Sequence, residues 1–518
     1  MSAADGVLKL GTRRSLLAWA QSSWVAREVE RLNPGIKVEL VGIDTRGDQI
    51  QDVPLQSIPG KEFFVAELDQ ALRSKAVDFS VHSLKDLSLE RPAEFTYAAI
   101  PQRANPRDVA LFGAEAIEAL RTGRPLRIGT SSPRRLENVP AFLEKALPML
   151  GTRPRVEVVE IRGNINTRLS RVHEPVGAPK QLDGVILAFA GLIRLWADDQ
   201  ARIELTQLLK GALWMVLPLR ENPAAPGQGA LAVECRADDA RAREMIGKLH
   251  HEPTARHIDI ERGLLAHWGG GCHQKFGATA ITHPEAGELL FVRGRLPDGS
   301  TIEELRTQNT QPRPTEVRPW DGSRVRGSEG QTLALTEAQL ERLAGTEVFV
   351  AHSRAVAQPQ TRQALEASRI WTSGTPSWFR LAEQGLWVEG CAESLGFDGV
   401  VPTLSEGVLQ LGGIRKLQVL THDRAGDRWS DILPPQNVVA AYEVPSSIEG
   451  ESQGLAEASH VFWSSGTQWD RLKSYLNPKA LQFCGPGKTA RYLRAQGVEV
   501  QVFPSAEEWR GWLGLSKS

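Results

Sequence analysis

The chain has 518 residues, of which 41% are hydrophobic and 24% charged, with a formal net charge of −1. That length is too great for one core, so roughly two to four domains are expected, of ordinary soluble globular composition. The balanced charge excludes a dedicated nucleic-acid binder, which needs a basic excess, and no apolar run is long enough to span a bilayer.

Taken in order, Val7–Leu10 reads as a short buried strand, followed by Gly11-Thr12-Arg13-Arg14-Ser15. A helix then runs to about Leu32, with Leu16, Leu17, Ala20, Val25 and Val29 near helical spacing, and Asn33-Pro34-Gly35 stops it. Lys37–Ile43 is the next strand, left through Thr45-Arg46-Gly47-Asp48, and Gly60-Lys61-Glu62-Phe63-Phe64 opens another helix. In residues 77–83, Val77, Phe79 and Val81 alternate with Asp78, Ser80 and His82, the period of a strand. Ser83, Lys85 and Asp86 stand at its carboxyl end, where open α/β sheets bind ligands. A lone Lys–Asp pair on a loop is ordinarily solvated decoration. Its importance depends on the rest of the chain.

The same unit recurs after residue 105. Leu126–Ile128 is a strand, Gly129-Thr130-Ser131-Ser132 a turn, and Pro133-Arg134-Arg135 a helix start, with Ser132 suited to the cap and Pro133 to the first turn. Arg155–Ile161 is a strand leading through Arg162-Gly163-Asn164 to a helix carrying Arg168. Val185–Ala190 is another, leading to Arg194. This β-α alternation predicts parallel sheets. A helix start carries partial positive charge and favours acidic residues, yet three of these turns present Arg13-Arg14, Arg134-Arg135 and Arg162. An anion held at converging helix starts explains all three together better than three separate surface ion pairs.

Pro226-Gly227-Gln228-Gly229-Ala230 matches a dinucleotide fingerprint weakly. A strand, not a helix, follows it at Ala230–Cys235, which rejects a nicotinamide site. Residues 249–311 form a smaller α+β unit containing Trp268-Gly269-Gly270-Gly271-Cys272-His273. The three glycines leave the Cys272 thiol accessible, which favours attachment or nucleophilic chemistry over core filling. Cys235, Cys272, Cys391 and Cys484 are too scattered for a paired-thiol metal site, so no metal is expected. Few cysteines and no signal peptide in Met1–Leu10 point to a cytoplasmic location. The Pro- and Gly-rich residues 312–345 read as a linker. Beyond it, Ile370-Trp371-Thr372-Ser373-Gly374-Thr375 resembles Val461-Phe462-Trp463-Ser464-Ser465-Gly466-Thr467, each followed by a tryptophan, and this repeat predicts two similar α/β lobes. Gly485-Pro486-Gly487-Lys488-Thr489 is only half a phosphate loop, because Gln482 stands where glycine is needed.

Gly11-Thr12-Arg13 with Ser15, Thr45-Arg46-Gly47-Asp48, His82-Ser83-Leu84-Lys85-Asp86, Gly129-Thr130-Ser131-Ser132-x-Arg134-Arg135, Arg162-Gly163-Asn164 with Thr167-Arg168-Leu169, and Gly270-Gly271-Cys272 occur in this order. Together they resemble the motif set of the hydroxymethylbilane synthase (porphobilinogen deaminase) family over about residues 7–310. The resemblance implies two periplasmic-binding-protein-like lobes, residues 1–104 with 229–248 and residues 105–228, and a cofactor-attachment α+β domain at 249–311. It implies head-to-tail condensation of four porphobilinogens into a linear tetrapyrrole with loss of ammonia, by a monomeric enzyme without nucleic-acid or membrane partners. Asp86 matches the catalytic acid, beside a developing azafulvene cation, and Cys272 matches the thioether attachment of a dipyrromethane cofactor. Lys85, Ser132, Arg134, Arg135 and Arg162 match cofactor-binding positions. Arg13, Ser15, Gln21, Arg162, Arg168 and Arg194 match substrate-binding ones. Pro133, Gly269-Gly270 and Glu62-Phe63 depart from the family pattern without removing a charged or covalent role.

Residues 346–518 resemble, on looser motifs, uroporphyrinogen-III synthase, through the two-lobe repeat, Ala441-Tyr442-Glu443-Val444 and Gly485-Pro486-x-Lys488-Thr489-Ala490. This implies a bifunctional chain, with no catalytic residue assigned in the tail. Two other readings remain open: a two-lobe small-anion-binding protein without catalysis, and a synthase with a non-catalytic C-terminal appendage. A binding module needs neither Asp86 nor an attached primer at Cys272.

Overall fold

Alternating apolar residues and Gly- or Pro-marked turns become short strands and helices in a computed structural model, which describes residues 6–45, 65–269, 274–307, 314, 316–322, 331–445 and 450–515. The chain divides into two compact units. One comprises Met1–Phe142, Arg155–Ala280 and Leu290–Glu304, the other Leu143–Pro154, Ile281–Leu289 and Leu305–Ser518.

The first unit holds two five-stranded sheets. In one the strand order is Lys37–Ile43, Val7–Arg13, Phe79–Ser83, Leu231–Arg236, Phe95–Ala99. In the other it is Val156–Val159, Leu126–Gly129, Gly184–Ala188, Asp108–Phe112, Leu213–Val216. The first three strands of each run parallel. The expectation of parallel sheets is corrected at Leu231–Arg236 and Asp108–Phe112, which are antiparallel to both of their neighbours. These are the strands that receive the chain as it crosses from one sheet to the other and back. A strand entered from such a crossover comes in at the carboxyl side of its neighbours and must run against them.

Helix Leu16–Leu32 covers the first sheet. Its Val25 and Val29 are fully buried with Leu10, Phe79 and Val233, and each such side chain contributes about 1.5–3 kcal/mol of apolar burial. The two crossovers touch at Gly229, which has φ +86° and where a Cβ would stand 2.6 Å from the Ala104 carbonyl oxygen. Only glycine fits there, so the Gly-x-Gly sequence rejected as a nucleotide motif has a packing role. Helix Glu252–His267 lays Ile260, Leu264 and Leu265 on Phe276, Ala278 and Val292. Those residues belong to a three-stranded sheet of Lys275–His283, Gly287–Arg295 and Thr301–Thr307.

The second unit contains two all-parallel sheets. Five strands run in the order Val388–Cys391, Arg369–Thr372, Glu347–Val350, Gln418–His422, Val438–Tyr442. Four run in the order Pro319–Trp320, His460–Trp463, Leu481–Cys484, Val500–Val502. The sequence repeat corresponds to one strand-turn-helix in each sheet: Arg369–Thr372 leads into Thr375–Glu383, and His460–Trp463 into Gly466–Leu472. The first helix buries Trp378 and the second Trp469. The linker expectation for 312–345 is corrected in part. Pro319–Trp320 pairs with His460 and Val461, Trp320 packs on Trp463 with ring centroids 5.4 Å apart, and Thr336 closes a capping box on helix Glu337–Leu343. One buried tryptophan anchors a stretch that its prolines and glycines made look unstructured.

Candidate active site

A cavity of about 710 Å³ opens within the first unit, where carboxyl ends of strands from both of its five-stranded sheets converge. Strand Val7–Arg13 delivers Arg13, and Ser15 caps the helix that follows by accepting a hydrogen bond from the Ala18 amide at 3.4 Å. Gln21 lies one and a half turns into that helix, buried and on the wall. Strand Phe79–Ser83 runs into a single 3-10 turn, Leu84–Asp86, which sets Lys85 and Asp86 on the wall side by side. From the second sheet come Ser131, Arg135, Arg162, Arg168 and Arg194. Asn164 caps helix Ile165–Ser170, and Arg168 folds back so that its Nε donates to the Gly163 carbonyl at 2.8 Å. Arg194, on helix Phe189–Ala197, donates to the Gly229 carbonyl at 2.6 Å.

The wall carries seven cationic side chains against three carboxylates; Arg14 is paired with Asp44 at 2.8 Å, and Arg135 with Asp108 behind the wall at 2.7 Å. The remaining excess sits in a poor solvent for charge. Burial, with Arg135 and Arg162 adding, takes Arg168 down to about 10, and burial alone takes Arg194 to about 10. Burial likewise pulls the Lys85 ammonium below its usual range, opposed by Asp86. Each shift has burial as its first cause, a desolvation that the neighbouring carboxylates do not offset. The Arg162 Nη2 and the Arg134 Nε are buried with no hydrogen-bond partner. Of the two only Arg162 is on the wall, and an orphaned guanidinium nitrogen in a cation-rich cavity fits a group bearing carboxylates.

Not every expected residue is placed alike. Asp86, Lys85, Arg13, Ser15, Gln21, Arg135, Arg162, Arg168 and Arg194 share the cavity wall. Ser132 and Arg134 do not line it, and the explanation of the helix-start arginines by an anion in place of ion pairs is corrected at Arg134. Its guanidinium is 3% exposed and donates to Asp108 Oδ2 at 2.8 Å, Asn222 Oδ1 at 3.0 Å and the Pro223 carbonyl at 2.7 Å. Arg135 serves both purposes, gripping Asp108 through Nη2 at 2.7 Å and Nε at 3.1 Å while reaching the wall. Cys272 with Gly270, Gly271 and His273, Arg46-Gly47-Asp48, and Gly60–Phe64 lie outside the described residues.

Three features escape a reading of the sequence. Asp108 is fully buried, and despite the cost of burial its two arginines hold its carboxyl far below the usual range. Gln228 spans the crossover: its Nε2 donates to Asp108 Oδ1 at 2.8 Å and the Pro106 carbonyl at 2.7 Å, and its Oε1 lies 3.5 Å from Lys85 Nζ. Behind the Asp86 turn, His82 is buried with its Nε2 2.8 Å from Ser80 Oγ and 3.6 Å from Glu234, which Arg91 ties to Asp69. Burial, with Arg91 and Arg13 adding, lowers His82 to about 3. The sequence shows Gln228 inside a glycine motif that had no ligand to bind and His82 in the motif around Asp86, but the part played by neither.

A family model described as Porphobilinogen deaminase, dipyromethane cofactor binding domain, matches residues 8–244. Proteins named porphobilinogen deaminase align over much of their own lengths. That of Syntrophotalea carbinolica is 36% identical over 301 residues, 58% of this chain and 87% of that protein. That of Shouchella clausii is 38% identical over 294 residues, 57% of this chain and 86% of the relative. That of Geobacter sulfurreducens is 39% identical over 271 residues, 52% and 76% respectively.

Proposed function

The chain belongs to the porphobilinogen deaminase family, and from that we propose that the cavity around Asp86 joins porphobilinogen units and that the second unit cyclises the product. The observation that carries the first part is the cationic excess of the wall, with Arg162 Nη2 buried and unpartnered in the cavity that Asp86 also lines. Porphobilinogen brings an acetate and a propionate, so a growing chain brings many carboxylates into one cleft. Arg13, Arg162, Arg168 and Arg194 bind and orient them; the planar guanidinium fork suits two-point carboxylate contact. Arg168 and Arg194 gain most, because a carboxylate restores the counter-charge that burial has denied them.

Asp86 stands where positive charge develops as the substrate's amine departs as ammonia. A carboxylate fixed beforehand stabilises that charge without rearranging during the reaction. Lys85, held next to it, supplies a cation to a substrate carboxylate and keeps the neighbouring charge balanced. When bound through Cys272, the dipyrromethane supplies the pyrrole end on which units are joined. Arg135 and Arg162 hold its carboxylates.

The reading of the second unit as a uroporphyrinogen-III synthase is supported by the sequence resemblance and by its two parallel sheets. Incubating the full chain with porphobilinogen and separating the porphyrin isomers after oxidation tests both parts. Isomer III is expected. Isomer I alone removes the cyclising role, because the linear tetrapyrrole closes to that isomer unaided. No porphyrin at all removes the deaminase reading.

A further inference from the structure

The half phosphate loop Gly485-Pro486-Gly487-Lys488-Thr489 has no part in the function proposed above, yet it has an anionic partner from within the chain. The loop opens helix Lys488–Ala495, whose cap, Gly487, has no side chain to offer and whose first turn carries Lys488 and Arg491 but no acid. Such a helix start lacks the negative charge that its dipole favours. The carboxylate is supplied from 202 residues away: Glu285 Oε2 accepts the Gly487 amide, and Glu285 Oε1 lies 4.0 Å from Arg494 Nη1. Glu285 stands at the tip of the hairpin joining Lys275–His283 to Gly287–Arg295, and that tip, Ile281–Leu289, is part of the second unit. His283 shapes it, its Nδ1 accepting the Glu285 and Ala286 amides at 3.2 Å each.

A second helix start meets the first. Helix Phe397–Leu404 also begins at a glycine without a side-chain cap, Gly396, where a Cβ would stand 3.0 Å from Gly487 Cα and 3.1 Å from the Pro486 carbonyl oxygen. This helix follows strand Val388–Cys391 of the five-stranded sheet, and Lys488–Ala495 follows strand Leu481–Cys484 of the four-stranded one. Two positive helix ends in contact repel one another unless negative charge stands with them. Asp398 pairs with Arg491 across the junction, and Glu285 brings a second carboxylate from the hairpin. The hairpin reaches the other helix as well, since a Cβ on Gly399 would stand 3.8 Å from the His283 ring. Burial pulls the His283 imidazolium below its usual range, opposed by the Leu395 carbonyl, Glu285 and Asp398, so the ring senses both helix starts.

We propose that the hairpin tip straps the two parallel sheets of the second unit together, with Glu285 as the counter-charge that lets their helix starts meet. The two sheets part only as Glu285 leaves the Gly487 amide. The strap goes beyond the function proposed above, since it operates whether or not the second unit cyclises anything.

Amide hydrogen exchange of the full chain, read by mass spectrometry on peptides covering residues 395–404 and 485–495, tests the strap. Glu285→Ala should speed exchange in both segments by about fivefold, the loss of one helix cap being felt on each side of the junction. Glu285→Gln, which keeps the shape and one acceptor oxygen but not the charge, should speed the same two segments by a smaller factor. Glu303→Ala, an exposed acid on the third strand of the hairpin's sheet, should change neither. Faster exchange confined to 485–495 makes Glu285 a helix cap alone and overturns the strap. Unchanged exchange in both segments overturns it too, and isomer analysis of the same variants reports separately on the proposed cyclisation.

Discussion

Arg134 and Arg162 look equivalent in the sequence, each beginning a helix after a strand, and the structure gives them opposite duties. Replacing Arg134 by leucine removes three hydrogen bonds from a buried site and leaves the Pro223 carbonyl and Asn222 Oδ1 without that donor. Asp108 is not abandoned, since it keeps Arg135, Gln228 and the Asn222 amide. The loss is therefore about 3 kcal/mol, the low end for breaking a buried ion pair. That corresponds to a first-unit melting point lower by roughly 6–12 °C. Arg162→Leu removes a guanidinium with a buried, unpartnered Nη2, so stability should change by no more than about 0.5 kcal/mol. The missing contact should instead weaken carboxylate binding by about 1.5–3 kcal/mol, roughly 10- to 150-fold. Scanning calorimetry reads the first effect. Mass spectrometry of the protein during a single charge of porphobilinogen reads the second, as chain growth stalled at fewer added pyrroles. An Arg134→Leu protein that melts like the parent, or an Arg162→Leu protein that melts far below it with normal chain growth, refutes the division of roles.

Cys272→Ser should yield protein without the dipyrromethane mass increment and without turnover, checked by intact mass and ammonia release; an unchanged increment means another attachment point. His82 makes a pH prediction with a definite sign. Its folded pKa, about 3, lies below its unfolded value of 6.5, so the unfolded state takes up the proton first. His82 therefore favours the fold above pH 6.5, and that advantage is lost as pH falls from 6.5 toward about 3. His82→Gln should flatten the decline of melting temperature over that interval, and an equally steep decline in the variant assigns the acid sensitivity to other groups.

What the sequence makes legible is what is local. Strand Phe79–Ser83 announces itself by alternation, and Lys85 and Asp86 follow because a strand's carboxyl end is where a sheet presents chemistry. Direction is not local: Leu231–Arg236 reads as any buried strand, and only the crossing of the chain between sheets turns it antiparallel. Partnership is not local either. Asp108 opens an otherwise apolar strand, and its partners lie 26, 27, 114 and 120 residues away. Nothing in spacing says whether Arg134 will meet that aspartate or a ligand. Trp320 was hidden for a related reason, since one anchoring side chain is easily lost among prolines.

The buried aspartate changes how the cavity's charge should be understood. Seven cations on one wall with no ligand would repel one another, and their helix starts would be poor places to gather them. Asp108 neutralises part of that charge from behind, holding Arg134 and Arg135 in fixed positions. Gln228 joins this ionic cluster to Lys85, and through Lys85 to the turn that carries Asp86. The permanent counter-ion serves the arginines that set the architecture, while Arg162, Arg168 and Arg194 keep their electrostatic deficit for incoming carboxylates. A pocket arranged this way is ordered before ligand arrives, yet still gains most of its binding energy from the anions it takes in.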